Sequence, residues 1–297
     1  MSDTTRCGYI AIIGRPNVGK STLLNRILGQ KISITSRKPQ TTRQQILGVK
    51  TTTDTQAIYV DTPGLQQQHK NALNRYMNRA ASAIIDGVDI IVFMVVANQW
   101  QEEDDWILKK IKTAKCPIIL VINKIDRLKD KAKLLPLIRE YSEKANFNKI
   151  IPLYAKSIKD VVLLEKTIAE LLPKGAQQFP KEQITDRSQR FLAAEIVREK
   201  VMRQTGNEIP YSVAIEVEEY TEKQNIIHIG ILIIVDKRSQ KTIIIGNKGE
   251  RLKEIGKQAR LDLENMLQTK VFLRLWVKIR EGWADDERAL RSLGYRE

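Results

Sequence analysis

The chain has 297 residues, is 42% apolar and 29% charged, and carries a formal net charge of +15. That length predicts about two domains, and that composition excludes a largely disordered chain. The longest apolar run, Ile90 to Ala97, is far too short for a bilayer-spanning helix, and the charge asks for a polyanionic partner, either nucleic acid or an anionic membrane surface.

The first residues, Met1-Ser2-Asp3-Thr4-Thr5-Arg6, have neither the basic start nor the apolar stretch of a secretory signal, so a cytoplasmic protein is expected. Cys7 and Cys116 fit small buried thiols in a reducing compartment. The charge is uneven. Residues 1–180 hold 28 Lys/Arg against 16 Asp/Glu, and the stretch Lys237 to Arg280 holds 12 against 4, which predicts a local basic patch.

From Tyr9 to Pro173, short β-branched runs alternate with helical stretches, the pattern of βαβ units around a parallel sheet. Strands are expected at Tyr9–Ile13, Ile46–Thr51, Gln56–Tyr59, Ile90–Val96, Ile118–Ile122 and Ile150–Leu153, with helices beginning near Lys20, Asn74, Asp104, Ala132 and Leu163. Right-handed crossovers make this a three-layer α/β sandwich with a mostly parallel sheet.

The first strand runs into Gly14-Arg15-Pro16-Asn17-Val18-Gly19-Lys20-Ser21, a complete G-x-x-x-x-G-K-S/T phosphate loop, with Thr22 next in the helix. Backbone N–H groups of such a loop face phosphates, Lys20 reaches the β- and γ-phosphates, and the Ser21 hydroxyl goes to Mg2+. Asp61-Thr62-Pro63-Gly64-Leu65 follows the third strand, so Asp61 can hold Mg2+ through water and the Gly64 N–H can reach the γ-phosphate. Asn123-Lys124-Ile125-Asp126 ends the fifth strand. A carboxylate at Asp126 accepts hydrogen bonds from N1–H and the 2-amino group of guanine, an edge that adenine lacks, while Asn123 ties this loop to the phosphate loop and the Lys124 stem lies along the base. Together these segments describe a GTP-binding and GTP-hydrolysing domain.

Leu172 to Pro180, with two prolines and a glycine, breaks the pattern. The domains are accordingly set at 1–175 for the GTPase domain, 176–184 for a linker and 185–297 for the remainder. Past the linker the order is a helix (Ser188–Arg203), two strands (Tyr211–Glu219 and Ile226–Val235), a short apolar element (Thr242–Ile245), a helix (Gly249–Met266) and a strand (Val271–Ile279), an α+β arrangement. Gly246-Asn247-Lys248-Gly249, preceded by three isoleucines and followed by a basic helix, fits the G-x-x-G loop of a KH module of the type II order. Such a loop clamps the backbone of about four nucleotides, with Lys248 and Arg251 as countercharge. The two histidines, His69 and His228, have no partner at metal-ligand spacing and read as ordinary surface or loop residues. Trp276 and Trp283 could stack on bases, but apolar neighbours such as Leu275 and Val277 make core packing the expected role.

The phosphate loop, the run Gln30-Lys31-Ile32-Ser33-Ile34-Thr35-Ser36-Arg37 and the C-terminal Gly282-Trp283-Ala284-Asp285-Asp286-Glu287-Arg288-Ala289-Leu290 resemble the bacterial Era family of GTPases over nearly the whole length. The resemblance implies a switch at Pro39-Gln40-Thr41-Thr42-Arg43, with Thr42 sensing Mg2+ and Thr41 as the alternative. In related GTPases an asparagine equivalent to Asn17 helps hold K+, so Asn17 is a candidate K+ ligand. The resemblance also implies a monomer that binds 16S ribosomal RNA near its 3′ end and acts in assembly of the small ribosomal subunit. A membrane-surface signalling GTPase, peripheral at the inner face on anionic lipid, is the alternative. Two departures carry expectations. Leu65 stands where a Ras-type enzyme has its water-orienting glutamine, so hydrolysis should be slow. Tyr154-Ala155-Lys156 replaces the usual Ser-Ala-Lys, so Ala155 keeps an N–H for guanine O6 while the serine brace is gone, and weaker nucleotide binding is expected.

Overall fold

The computed structural model describes residues 5–36, 38, 41–65, 72–206 and 213–295. Pro39, Gln40, His69 and the first two residues of the expected strand at 211–219 lie outside them. The described residues fall into two compact units. The first comprises Met1–Ser33, Thr42–His69 and Met77–Asp186, and the second comprises Ile34–Thr41, Lys70–Tyr76 and Arg187–Glu297.

The first unit is built on six strands: β1 (Arg6–Ile13), β2 (Ile46–Thr51), β3 (Thr55–Asp61), β4 (Ile90–Val96), β5 (Ile118–Asn123) and β6 (Lys149–Leu153). Their order is β2-β3-β1-β4-β5-β6, with every pair parallel except the antiparallel β2–β3. Every residue of β4 is buried, because helices cover both faces of a central parallel strand and leave no polar side to alternate. The helices of this half are α1 (Lys20–Leu28), α3 (Glu102–Ile111), α4 (Leu134–Ser142) and α5 (Ile158–Leu171), together with α2 (Ala72–Ala83) from Met77 onward. The core on one face joins Ile91, Phe93 and Val95 of β4 to Ile107 and Ile111 of α3 and to Tyr141 of α4.

The stretch 176–184 is bound along the sheet of the first unit. Gln56 Oε1 accepts from the N–H groups of Gln178 and Phe179 at 2.7 and 2.9 Å, and the Val49 N–H donates to the Ile184 carbonyl at 2.8 Å. Phe179 packs beside Cys7, Val49 and Ile58. Pro173, Gly175 and Pro180 interrupt secondary structure without freeing the chain.

The second unit has three strands, β7 (Val213–Lys223), β8 (Ile226–Val235) and β9 (Lys270–Ile279), in that order, with β7–β8 antiparallel and β8–β9 parallel. One face is covered by α6 (Gln189–Gln204), α7 (Arg238–Ile245) and α8 (Glu250–Leu267), through Val197, Val201, Ile244, Ile255, Ala259 and Leu263. A short α9 (Glu287–Ser292) is N-capped by Asp286, which accepts from the Arg288 N–H at 2.8 Å. The C-terminal Trp283 is fully buried, as read from the sequence, but Trp276 is 37% exposed on the open side of the sheet. Strand period explains the difference, since Leu275 and Val277 point to the helices and Trp276 between them must point away.

In the same unit Thr35 and Thr41 are held on α6. Buried Glu199 accepts from the Thr35 N–H at 3.0 Å and pairs with Arg203 at 2.9 Å, and Arg198 donates to the Thr41 carbonyl.

Candidate functional site

The phosphate loop begins where β1 ends, in mid-sheet between β3 and β4. The N-cap of α1, Gly19, supplies no side-chain hydrogen bond, and the first turn contains no acidic residue. The first N–H groups of α1, on Lys20, Ser21 and Thr22, are therefore left for an anion, aided by the positive end of the helix. Lys20 is buried, and its ammonium folds over the loop to the carbonyls of Gly14 and Arg15 at 2.9 and 3.1 Å. Burial pushes its pKa down to about 8 against the opposing pull of Asp61. Arg15 is spent on structure, with its guanidinium on Asp104 at 3.0 Å and on the Gln99 carbonyl at 2.7 Å.

Beside the loop, three oxygens converge on one carboxylate. Asp61 Oδ2 accepts from Ser21 Oγ at 2.8 Å, from Ser33 Oγ at 2.8 Å and from Thr42 Oγ1 at 3.3 Å, while Ser21 and Thr42 lie 2.9 Å apart. Asp61 is fully buried and burial raises its pKa, yet its Oδ1 has no hydrogen-bond partner. An orphaned buried carboxylate oxygen among hydroxyls is what a hard divalent cation would satisfy, so Ser21, Thr42 and Asp61 fit Mg2+ held partly through water. When bound, Mg2+ neutralises charge between the phosphates. Thr41 does not share this position. Its Oγ1 donates to the Lys38 carbonyl at 2.7 Å, which leaves Thr42 facing the site. Ser33 was not anticipated. It is brought in by Asn25, whose side chain accepts from the N–H groups of Ile32 and Ser33 and donates to the Ser33 carbonyl.

Thr62 Oγ1 donates to the Ile12 carbonyl at 3.0 Å, fixing the turn that carries Pro63 and Gly64. A Cβ at Gly64 would lie 2.9 Å from the Pro16 backbone nitrogen, so only glycine fits where this turn meets the phosphate loop. Gly64→Ala should slow hydrolysis roughly tenfold by moving the turn, with GDP affinity nearly kept; single-turnover phosphate release at the parent's rate would separate this turn from the chemistry. Leu65 is buried in the core with Ala11, Ile13 and Phe93, so its side chain cannot meet nucleotide or water. Of Leu65, only the backbone remains available to a ligand.

The loop 123–126, expected to read the base, is framed by Asn123, which donates to the Val18 carbonyl at 2.7 Å and accepts from the N–H groups of Lys124 and Ala155 at 2.7 and 3.0 Å. Lys124, in the left-handed region at φ 63°, sends its ammonium to the Asn17 carbonyl at 2.6 Å. Ile125 packs on the core and Asp126 is exposed at the loop's end. The Ala155 N–H is engaged by Asn123, so a guanine O6 would have to share it. The brace expected to be missing at Tyr154 is supplied from α5, where the Asp160 carboxylate accepts from the Tyr154 N–H at 2.8 Å and Ser157 caps the helix. Among the described residues, no group of three or more His, Cys, Asp or Glu is placed to hold a metal ion.

In the second unit α7 ends at Gly246, whose φ is 75°, and the G-x-x-G loop turns through Lys248 (φ 46°) and Gly249 (φ 81°) into α8. A Cβ at Gly246 would sit 2.7 Å from that of Arg251. Arg251 itself donates to the Ile243 carbonyl and so holds the loop as well as lending charge. Beside the loop opens a cleft of about 480 Å³ lined by Gly249, Leu252, Lys253, Gly256, Lys257 and Arg260 of the loop and α8 and by Leu273 and Leu275 of β9. Lys253, Lys257 and Arg260 fall on one face at i, i+4 and i+7, a spacing that could have revealed them.

These two sites define a P-loop GTPase domain followed by a KH domain. The chain matches the family described as 50S ribosome-binding GTPase over residues 9–124 and the KH domain family over residues 208–284. It is 55% identical to GTPase Era of Ectopseudomonas mendocina over 291 residues, covering 98% of this chain and 97% of that one. It is 54% identical to GTPase Era of Pasteurella multocida, covering 98% and 95%. A crystal structure of Era with MgGDPNP and nucleotides 1506–1542 of 16S ribosomal RNA superposes with a TM-score of 0.95 at 43% identity, over 99% of this chain and 100% of that one. An Aquifex aeolicus Era variant bound to GDP·AlF4− gives the same TM-score, identity and coverage. The chain belongs to the Era family of GTPases; guanine nucleotide and Mg2+ are its ligands and GTP hydrolysis is its reaction.

Proposed function

We propose that the chain is a GTP-controlled switch that binds single-stranded RNA near the 3′ end of small-subunit ribosomal RNA and acts in assembly of that subunit. The observation that carries this reading is the G-x-x-G loop opening onto a cleft with aliphatic walls and three cations, in a chain whose other unit holds the GTP site. Glycine backbone lets a sugar–phosphate chain come close, cations meet the phosphates, and leucines contact base faces. The solved relative with 16S RNA supports the same class of ligand. The description naming the 50S subunit matches only residues 9–124, so it does not bear on the cleft.

In this reading Lys20 binds the β- and γ-phosphates, Ser21, Thr42 and Asp61 surround Mg2+, the Gly64 N–H meets the γ-phosphate and Asp126 reads the base. The anionic-lipid alternative rests on net charge alone, whereas the RNA reading has the G-x-x-G loop as well. No described helix is long and apolar enough to cross a membrane. Crosslinking to RNA in cells, with the bound sequences read out, tests the proposal. Enrichment of the 3′ end of small-subunit ribosomal RNA is expected, and reads scattered over unrelated RNA would refute it.

Asn17 is assigned to K+. It is exposed at the tip of the phosphate loop with φ 64°, where a side-chain oxygen can reach a monovalent ion beside the phosphates. Turnover should be severalfold lower in NaCl than in KCl, and Asn17→Ala should erase that difference. Equal turnover of the parent in both salts would remove the K+ role and leave the GTPase intact.

A further inference from the structure

We infer that the outward side of β9, at the edge of the sheet in the second unit, is a second surface for single-stranded RNA, with bases stacking on Trp276 and Phe272 and phosphates meeting Lys270, Arg274 and Lys278. This rests on the RNA-binding reading above, extending it from the cleft to the opposite side of the same edge strand.

The alternation along β9 is clean. Val271, Leu273, Leu275 and Val277 face the helical core, while Lys270, Phe272, Arg274, Trp276 and Lys278 are all exposed. Phe272 is 49% and Trp276 37% exposed, on a strand with three outward cations and no acidic residue. Two large rings on the open side of an edge strand invite aggregation unless they have a use. Cations placed before, between and after them match a polyanion with flat apolar faces, which is the chemistry of a nucleic-acid strand.

The platform is preformed. In register, His228 lies opposite Phe272, Gly230 opposite Arg274 and Leu232 opposite Trp276. A Cβ at Gly230 would come within 3.0 Å of Trp276 Cη2, so the indole lies down on the sheet over the missing side chain. The rings of Phe272 and His228 are 5.2 Å apart, and the Arg274 guanidinium lies 5.9 Å from the Phe272 ring while also pairing with Glu219. The acids on this side, Glu216 and Glu219, stand on β7; Glu219 reaches across Gly230 to Arg274, so a phosphate would share Arg274 with it, and Lys270 and Lys278 complete the cations of β9.

The test uses the full chain with Mg2+ and GDPNP, a 12-nucleotide oligoadenylate, and anisotropy together with tryptophan fluorescence. In the parent, the RNA should quench tryptophan emission, and Trp276→Phe should remove that quench while nearly keeping affinity. Phe272→Ser with Trp276→Ser should weaken binding about thirtyfold or more, in line with the loss of two stacked bases, with circular dichroism unchanged. Asn247→Asp with Lys248→Asp, which disables the cleft, should weaken binding but leave a quench at saturating RNA. If the cleft reading alone fails, the loop variant binds like the parent and the quench persists. If the sheet proposal fails, the serine variant binds like the parent, or no quench arises from Trp276. A blue shift with phosphatidylglycerol vesicles and no response to RNA would assign the face to lipid and overturn the proposal.

Discussion

Asp126→Asn is expected to lower affinity for GTP at least a hundredfold and to raise it for xanthosine triphosphate. The base-reading loop is held by Asn123, through Val18, the Lys124 N–H and the Ala155 N–H, and by the Lys124 ammonium on the Asn17 carbonyl. Asp126 is exposed beyond this frame, so the substitution should change what the loop reads and leave its shape. Each charge-assisted hydrogen bond to guanine contributes roughly 1.5–3 kcal/mol, and losing two removes about 3 kcal/mol or more, over two decades in affinity. An amide can donate to the 2-oxo group of xanthine where the carboxylate only accepts. Titration of both nucleotides checks this, and unchanged GTP affinity with no gain for xanthosine triphosphate would show that the loop is misassigned.

The second large effect falls on the other unit. Asn247→Asp with Lys248→Asp keeps Gly246 and Gly249, whose φ angles of 75° and 81° make the turn, and places two carboxylates where phosphates should lie. Lys248 itself sits at φ 46°, a conformation in which Asp is tolerated better than most residues. Like-charge contacts should cost several kcal/mol in total, at least a hundredfold in affinity. Basal GTP hydrolysis without RNA should be unchanged, because the catalytic groups belong to the first unit. Anisotropy with single-stranded RNA at fixed moderate salt, alongside phosphate release, separates the two. A folded variant that binds RNA like the parent would remove the G-x-x-G assignment.

Most of the first unit was legible because its signals are local. A seven-residue run such as Ile90–Val96 can only be a central strand, and the phosphate loop announces both the end of β1 and the start of α1. Contacts made by single side chains across irregular segments were not legible. Nothing in the spacing shows that Asp160 would brace Tyr154, or that Asn25 would carry Ser33 to Asp61. The run Ile243–Ile245 carries strand-forming side chains, yet it closes helix α7 because Gln240 accepts from the N–H groups of Asp236 and Lys237 at its start and Ile244 is buried among the core residues. Trp276 was read from its neighbours in sequence, whereas a strand sends neighbours to opposite faces. The cleft cations were hidden among many lysines until α8 placed three of them on one side.

The most direct test of a GTP-controlled RNA switch is one affinity measured in two nucleotide states. Binding of the full chain to a single-stranded RNA taken from the 3′ end of 16S ribosomal RNA is titrated with Mg2+ and either GDPNP or GDP at constant salt. The proposal predicts binding about tenfold tighter or more with the triphosphate analogue, a coupling of at least roughly 1.4 kcal/mol. The same dissociation constant in both states would contradict it, leaving a GTPase and an RNA-binding domain that merely share a chain.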